Sequence, residues 1–152
     1  MKWKHSLKST YGKWVHGMAD VIFEDFTIEV VNVIDEKINA ALEECAGELE
    51  SQVKRNSRVD TGKTKGSWKH HVDEEKHVAT IGSPDENAIW EEFGTGEYAY
   101  NRDGRKGGWS YKDEKGEWHH TYGKKPMRSF WNAFNTLKNK IIDHIQDSLK
   151  GL

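Results

Sequence analysis

Four groups of residues in this 152-residue chain have types and spacings from which chemistry could be built. Gly62-Lys63-Thr64 reads like the end of a phosphate-binding loop, where glycine admits backbone N–H groups to phosphate and lysine supplies charge. Such a loop also needs glycine at position 57, where Ser57 stands, and a strand before it, where a helix is expected, so nucleotide binding is not read. Eight histidines include the neighbours His70-His71 and His119-His120, and strand neighbours point to opposite faces, so each pair offers at most one ligand to a common ion. His70, His120 and Glu91 together would make the metal centre of a hydrolase or nuclease; the competing reading is that all three are ordinary structural residues. Glu91-Glu92 invites comparison with paired catalytic carboxylates, but sequence neighbours diverge in direction, and solvated or interfacial charge is the better account. Neither a Gly-x-Ser-x-Gly elbow nor a His-Glu-x-x-His pair occurs. Finally, Lys54, Arg55, Arg58, Lys63, Lys65 and Lys69 form a basic cluster that could meet DNA phosphates or a protein partner, with only Trp68 interleaved for stacking. No catalytic residue, metal or cofactor is assigned.

The elements that must hold these residues follow from apolar periodicity. Val31, Ile34, Ile38, Ala41, Leu42, Cys45, Leu49 and Val53 recur at spacings of three and four, which predicts one long helix over about 28–56, beginning near Thr27. Cys45 lies on its apolar stripe and reads as a small core residue. Between about 66 and 82 the period changes to two, and Asp73-Glu74-Glu75-Lys76 predicts the turn of a hairpin. A second hairpin is expected at about 108–122, with Trp109 and Tyr111 facing Trp118, His120 and Tyr122. After Pro126, the residues Phe130, Phe134, Leu137, Ile141, Ile145 and Leu149 predict a closing helix. The fold class is α+β: a long N-terminal helix, a small antiparallel sheet with two hairpins, and a C-terminal helix packed on one face.

Composition bounds the rest. Val, Ile, Leu and Phe number 29 of 152, a thin core, offset in part by seven Trp and five Tyr that can each bury roughly 150–250 Å². Such a balance suits a subunit whose remaining apolar surface is covered by neighbours. The formal net charge of −2 lacks the basic excess of a dedicated nucleic-acid binder. The single cysteine forms no intramolecular disulfide, and no apolar run reaches the roughly 18 residues of a membrane span. Residues 1–17 hold four Lys and no acid and fit neither period, so they are expected to form a basic arm preceding a single domain at 18–152.

Three segments together resemble the small neck or tail-completion proteins of tailed bacteriophages. Arg58-Val59-Asp60-Thr61-Gly62-Lys63-Thr64-Lys65-Gly66-Ser67-Trp68 follows the long helix where that family carries a Pro-Val-Asp-Thr-Gly signature. Ala88-Ile89-Trp90-Glu91-Glu92-Phe93-Gly94-Thr95 is similar to its Val-Glu-Phe-Gly-Thr stretch, and Gly123 to Met127, with Pro126, stands where a proline-rich segment leads into the last helix. The resemblance implies a structural, non-enzymatic subunit of a cyclic oligomer, a hexamer matched to a tail tube, in the virion at the junction of head and tail. Its partners would be copies of itself, the adjoining neck, connector, tail-terminator or tube proteins, and double-stranded DNA in transit, with no membrane; assembly would take place in the host cytoplasm. Asp60, Thr61 and Gly62 are expected to make a tight helix-to-strand turn, and Glu92, Phe93, Gly94 and Thr95 to send one aromatic inward and release the chain through Gly94. Assembly contacts are expected from Trp109, Tyr111 and Trp118 in an elaborated loop and hairpin at about 96–122, and from Trp3 and Trp14 in the arm.

Overall fold

The computed structural model describes the backbone of residues 13–15, 22–24 and 27–150, and side chains from Ile28 to Lys150. Residues 1–12, with Trp3, lie outside the described residues, as does the Trp14 side chain. The described residues begin with a three-residue antiparallel pair, β1 (Lys13–Val15) and β2 (Ile22–Glu24), in which Trp14 sits opposite Phe23. Strands this short leave no periodicity to read.

Helix α1 (Thr27–Asn56) runs 30 residues, about 45 Å at the usual rise per residue. Its buried positions, Ala41, Cys45, Ala46, Leu49 and Val53, continue one stripe at helical spacing, and Lys54 and Arg55 close it with positive charge beside the exposed carbonyls of its last turn. A short helix α2 (Lys63–Ser67) then intervenes before the first hairpin, β3 (Lys69–Asp73) and β4 (Val78–Gly82), whose register places His70 opposite Ile81. Asp73 accepts the Lys76 N–H at 3.1 Å, and His77 takes φ 52° to complete the turn. Helix α3 (Asn87–Phe93) follows, then the second hairpin, β5 (Trp109–Lys112) and β6 (Trp118–Thr121), and finally helix α4 (Ser129–Ser148).

The class is α+β, but the two hairpins do not merge into one sheet; each is its own two-stranded ladder. The central element is α1. The β3–β4 hairpin packs on one side of it and α4 lies antiparallel along another, Ser129 beside Asn56 at one end and His144 bonded to Glu44 at 2.9 Å toward the other. Ala41 and Ala46 on α1 and Ala133 on α4 are all buried. The α4 stripe is therefore narrower than periodicity suggested: Ala133 and Leu137 are buried, while Phe134 and Leu149 reach solvent. The core gathers Leu49, Val53, Trp68, Ala88, Ala133 and Leu137, with Trp68 stacked on Phe130 at 6.0 Å between centroids. Among the described residues no helix is long and apolar enough to cross a membrane.

Candidate assembly site

Helix α4 begins without a capping side chain of its own. Arg128, at its N-cap, adopts left-handed backbone (φ 57°, ψ 40°), and its side chain accepts no cap bond. The first N–H groups of a helix have no partner within it and must find one elsewhere. Here Glu92, on α3, supplies both: its Oε2 accepts the Phe130 N–H at 2.9 Å and its Oε1 accepts the Trp131 N–H at 3.0 Å. Carboxylate charge at the positive end of the helix strengthens the arrangement. Glu92 is accordingly buried, and its neighbour Phe93 is 42% exposed. The expectation that an aromatic turns inward at this point is thus reversed, because the amides of α4 offer the carboxylate more than the core offers the ring.

Gly94 ends α3 with φ 71° and ψ −179°, a backbone region open to glycine alone, while its N–H bonds the Trp90 carbonyl. A Cβ placed there would stand 2.6 Å from the Lys124 carbonyl oxygen and 2.8 Å from Pro126 Cδ. From Gly94 the chain runs beside the lead-in to α4. Thr95 donates its N–H to the Lys124 carbonyl and accepts the Lys124 N–H on Oγ1, both at 2.9 Å, and Met127 donates to the Glu91 carbonyl at 2.7 Å. The Glu91 carboxylate pairs with Lys124 and lies 3.9 Å from Arg58. Glu92, Gly94, Thr95 and Pro126 therefore form one joint between α3 and α4.

Around this joint the surface is apolar. Ile89, Phe93 and Trp131, each between 42% and 54% exposed, line an open cleft of about 540 Å³ floored by Trp68 and Phe130. Arg128 is the only cation of that lining, its guanidinium 4.0 Å from the centroid of Tyr100 and 5.1 Å from that of Trp131. Its Nε stands 3.8 Å from Glu92, beyond hydrogen-bond reach. Neither Arg128 nor Tyr100 carries a sequence signal of its role; the partners come together only in the fold.

The other candidate residues are distributed elsewhere. Asp60 and Thr61 are exposed; Gly62 has φ 82°, and the chain turns there into α2 instead of passing directly into a strand. Much of the basic cluster is engaged within the chain: Lys54 bonds Glu50 at 2.5 Å, Arg55 bonds Gln52, Arg58 reaches the Lys125 carbonyl, and Lys63 lies 4.0 Å from Asp85. Lys65 is half-buried and Lys69 exposed. In the second hairpin Tyr111 stacks on His119 at 5.5 Å, Trp118 stands opposite Lys112 and is 72% exposed, and Trp109 packs over Gly96 with Arg105 above it. The cross-strand aromatic partner of Tyr111 is thus a histidine, and no tryptophan faces a tyrosine directly.

The metal reading of His70, His120 and Glu91 is not supported by their placement. His70 Nδ1 lies 2.6 Å from Glu50 and its Nε2 3.0 Å from Glu43, both on α1. His120 meets Ser110 and Tyr122 on the other hairpin, and Glu91 is paired with Lys124. Among the described residues the one convergent set of potential ligands is Asp113, Glu117 and His119, on the exposed β5–β6 turn, where Asp113 already accepts the N–H groups of Lys115 and Glu117 at 2.9 Å.

Electrostatics marks the contact between hairpin and long helix. Glu50 is held at about 2, below its ordinary 4.5, first by the Lys54 ammonium and then by His70. His70 is raised above 6.5 by its bonds to Glu43 and Glu50. Cys45 is raised above 9.0, first by burial and then by Glu48 and Glu44.

Residues 24–94 match the model of a protein family described as "Bacteriophage HK97-gp10, putative tail-component". The matched span runs from the end of β2 through α1, α2, the first hairpin and α3 to Gly94, and so contains Asp60 to Gly62 and Glu92 to Gly94. The second hairpin, Pro126 and α4 lie beyond it. No curated protein and no solved structure matches the chain.

Proposed function

We propose, from the likeness of residues 24–94 to phage tail components, that this chain is a structural subunit of the ring that joins head and tail in a tailed bacteriophage. The observation that carries the reading is that this likeness spans α1, the first hairpin and α3, the frame on which the α3–α4 joint is built. Supporting it, the chain leaves much apolar surface uncovered: Ile89, Trp90, Trp118 and Trp131 are all more than half exposed. Surface of that kind is ordinarily covered by a partner. The ring is a hexamer with DNA passing through its lumen, seated in the virion against connector, tail-terminator or tube proteins, after assembly in the host cytoplasm. Its contacts draw on Trp109, Tyr111 and Trp118 of the second hairpin, on Trp3 and Trp14 of the basic arm, and on Lys65 and Lys69 toward DNA or a partner. No catalytic residue, metal or cofactor takes part.

Mass spectrometry of purified particles, with immunogold microscopy of the head–tail junction, tests the role. The protein is expected there in a few copies per particle, and its absence from purified virions and tails would overturn the reading.

A further inference from the structure

Helix α1 outruns the helix packed along it. It has 30 residues against 20 in α4, a difference of 10 that leaves an overhang of about 15 Å. Along its first half α1 is met instead by the turn of the first hairpin. His77 Nε2 lies 3.3 Å from Asp35, His77 Nδ1 lies 2.9 Å from the Asn39 side-chain oxygen, and the Asn39 amide donates to the Glu74 carbonyl at 3.2 Å. Between helix and hairpin runs an open groove of about 550 Å³, with Ala40 and Val72 in its lining. The carboxylates of Asp35, Glu36, Glu43 and Glu74 line it as well, and no lysine or arginine does. Histidines meet two of them, His77 at Asp35 and His70 at Glu43. Glu36 and Glu74, both exposed, have no cation beside them among the described residues. Clefts lined by charge of one sign focus the field and draw in groups of the other.

We propose that the basic arm of the same chain, residues 1–12, docks in this groove with its lysines on the carboxylates. Residues 1–17 carry Lys2, Lys4, Lys8 and Lys13 and no acid, so arm and groove are complementary in charge. In an extended segment alternate residues share a face, which would turn Lys2, Lys4 and Lys8 to one side and Trp3 to the other. That lysine face spans roughly 20 Å, against about 17 Å of helix from Asn32 to Glu43. The arm also sets out from a suitable place. Lys13 stands opposite Glu24 in the β1–β2 ladder, three positions before α1 begins at Thr27, and Asn32 is five positions further on. Twelve extended residues reach roughly 40 Å, enough to cross that interval and run the length of the groove. Tethering makes the encounter intramolecular, which favours the chain's own arm over that of a second copy. The contact lies within one subunit and stands whether or not subunits join in a ring, and it leaves Trp3 on the outward side for a neighbour.

The test treats the full-length protein with a water-soluble carbodiimide, which joins a lysine to a carboxylate in direct contact, and maps the links by mass spectrometry. Links from Lys2, Lys4 or Lys8 to Glu36, Glu43 or Glu74 in the monomer band of a denaturing gel, lost when salt is raised before coupling, support the docking. Links confined to the dimer band would put a second copy's arm in the groove and overturn it. Arm links to other carboxylates alone, or no arm link at all, would overturn it too. Charge reversal then separates docking from chance encounter. Lys4→Glu with Lys8→Glu, and Glu36→Lys with Glu74→Lys, are each expected to lose most of the links between arm and groove while keeping native helical content. The four changes together are expected to restore linkage between the same positions. Links that survive both reversals, or that the combination does not restore, overturn the proposal. Presence in virions, which decides the structural role, is read separately from every one of these outcomes.

Discussion

The carboxylate of Glu92 accepts the backbone N–H of Phe130 at 2.9 Å, so a seven-residue helix in mid-chain caps the helix that ends the fold. Each depends on the other. Without α4, Glu92 would be a buried charge lacking its donors; without Glu92, α4 would begin with open amides in a half-buried setting.

Glu92→Ala is expected to lower unfolding free energy by about 2 kcal/mol, from the loss of a helix cap and of charge-assisted bonds to buried amides. Glu92→Gln, which keeps one acceptor oxygen, should lose about half of that. Urea midpoints at constant slope read the difference. Equal stability of wild type and Glu92→Ala would remove the capping argument.

Gly94→Ala should cost more than a left-handed backbone alone explains, because the added methyl meets the Lys124 carbonyl and Pro126. Gly116, at φ 86° with open space around its Cβ position, gives a positive-φ reference without a steric neighbour. Gly116→Ala is expected to cost about 1 kcal/mol and Gly94→Ala about 3 kcal/mol or more, the excess coming from overpacking together with the glycine-only backbone region of Gly94. Thermal melts of the two variants, compared side by side, decide it.

Stability should pass through a plateau in mildly acid solution. The raised value of His70 contributes stability that is complete below its ordinary 6.5 and is lost as pH rises through the folded value. The depressed value of Glu50, about 2, contributes stability that is complete above 4.5 and is lost as pH falls toward 2. These two groups therefore favour the window between 4.5 and 6.5. His70→Gln should flatten the alkaline side of the urea-midpoint profile; an unchanged slope there would show that the Glu43–His70–Glu50 contact adds nothing.

Cys45 is expected to resist alkylation in the folded protein at mildly alkaline pH, because burial and two nearby glutamates disfavour its thiolate. The thiol should become reactive in step with unfolding as urea is added. Fast labelling of the native state would show that α1 and α4 separate readily.

Much of the frame was legible in the residues. Long periodic runs announced α1 and α4, and alternation with a polar turn announced both hairpins, because many side chains repeat one choice of face. Helices α2 and α3, at five and seven residues, are too short for a period to emerge. The joint they lead to was only half legible: Glu92, Gly94 and Pro126 stood out as a pattern, but not what they do.

By itself, the sequence determined the two long helices and the two hairpins between them, that the apolar core is thin, and that the chain resembles a phage tail component. Only the tertiary structure decided that a glutamate turns inward while Ile89, Phe93 and Trp131 turn outward, and that α1 overhangs its partner. The reason is physical: the amides that draw Glu92 inside lie 38 and 39 residues further along the chain, and the overhang follows from where α4 happens to stop, so neither leaves a local periodic trace.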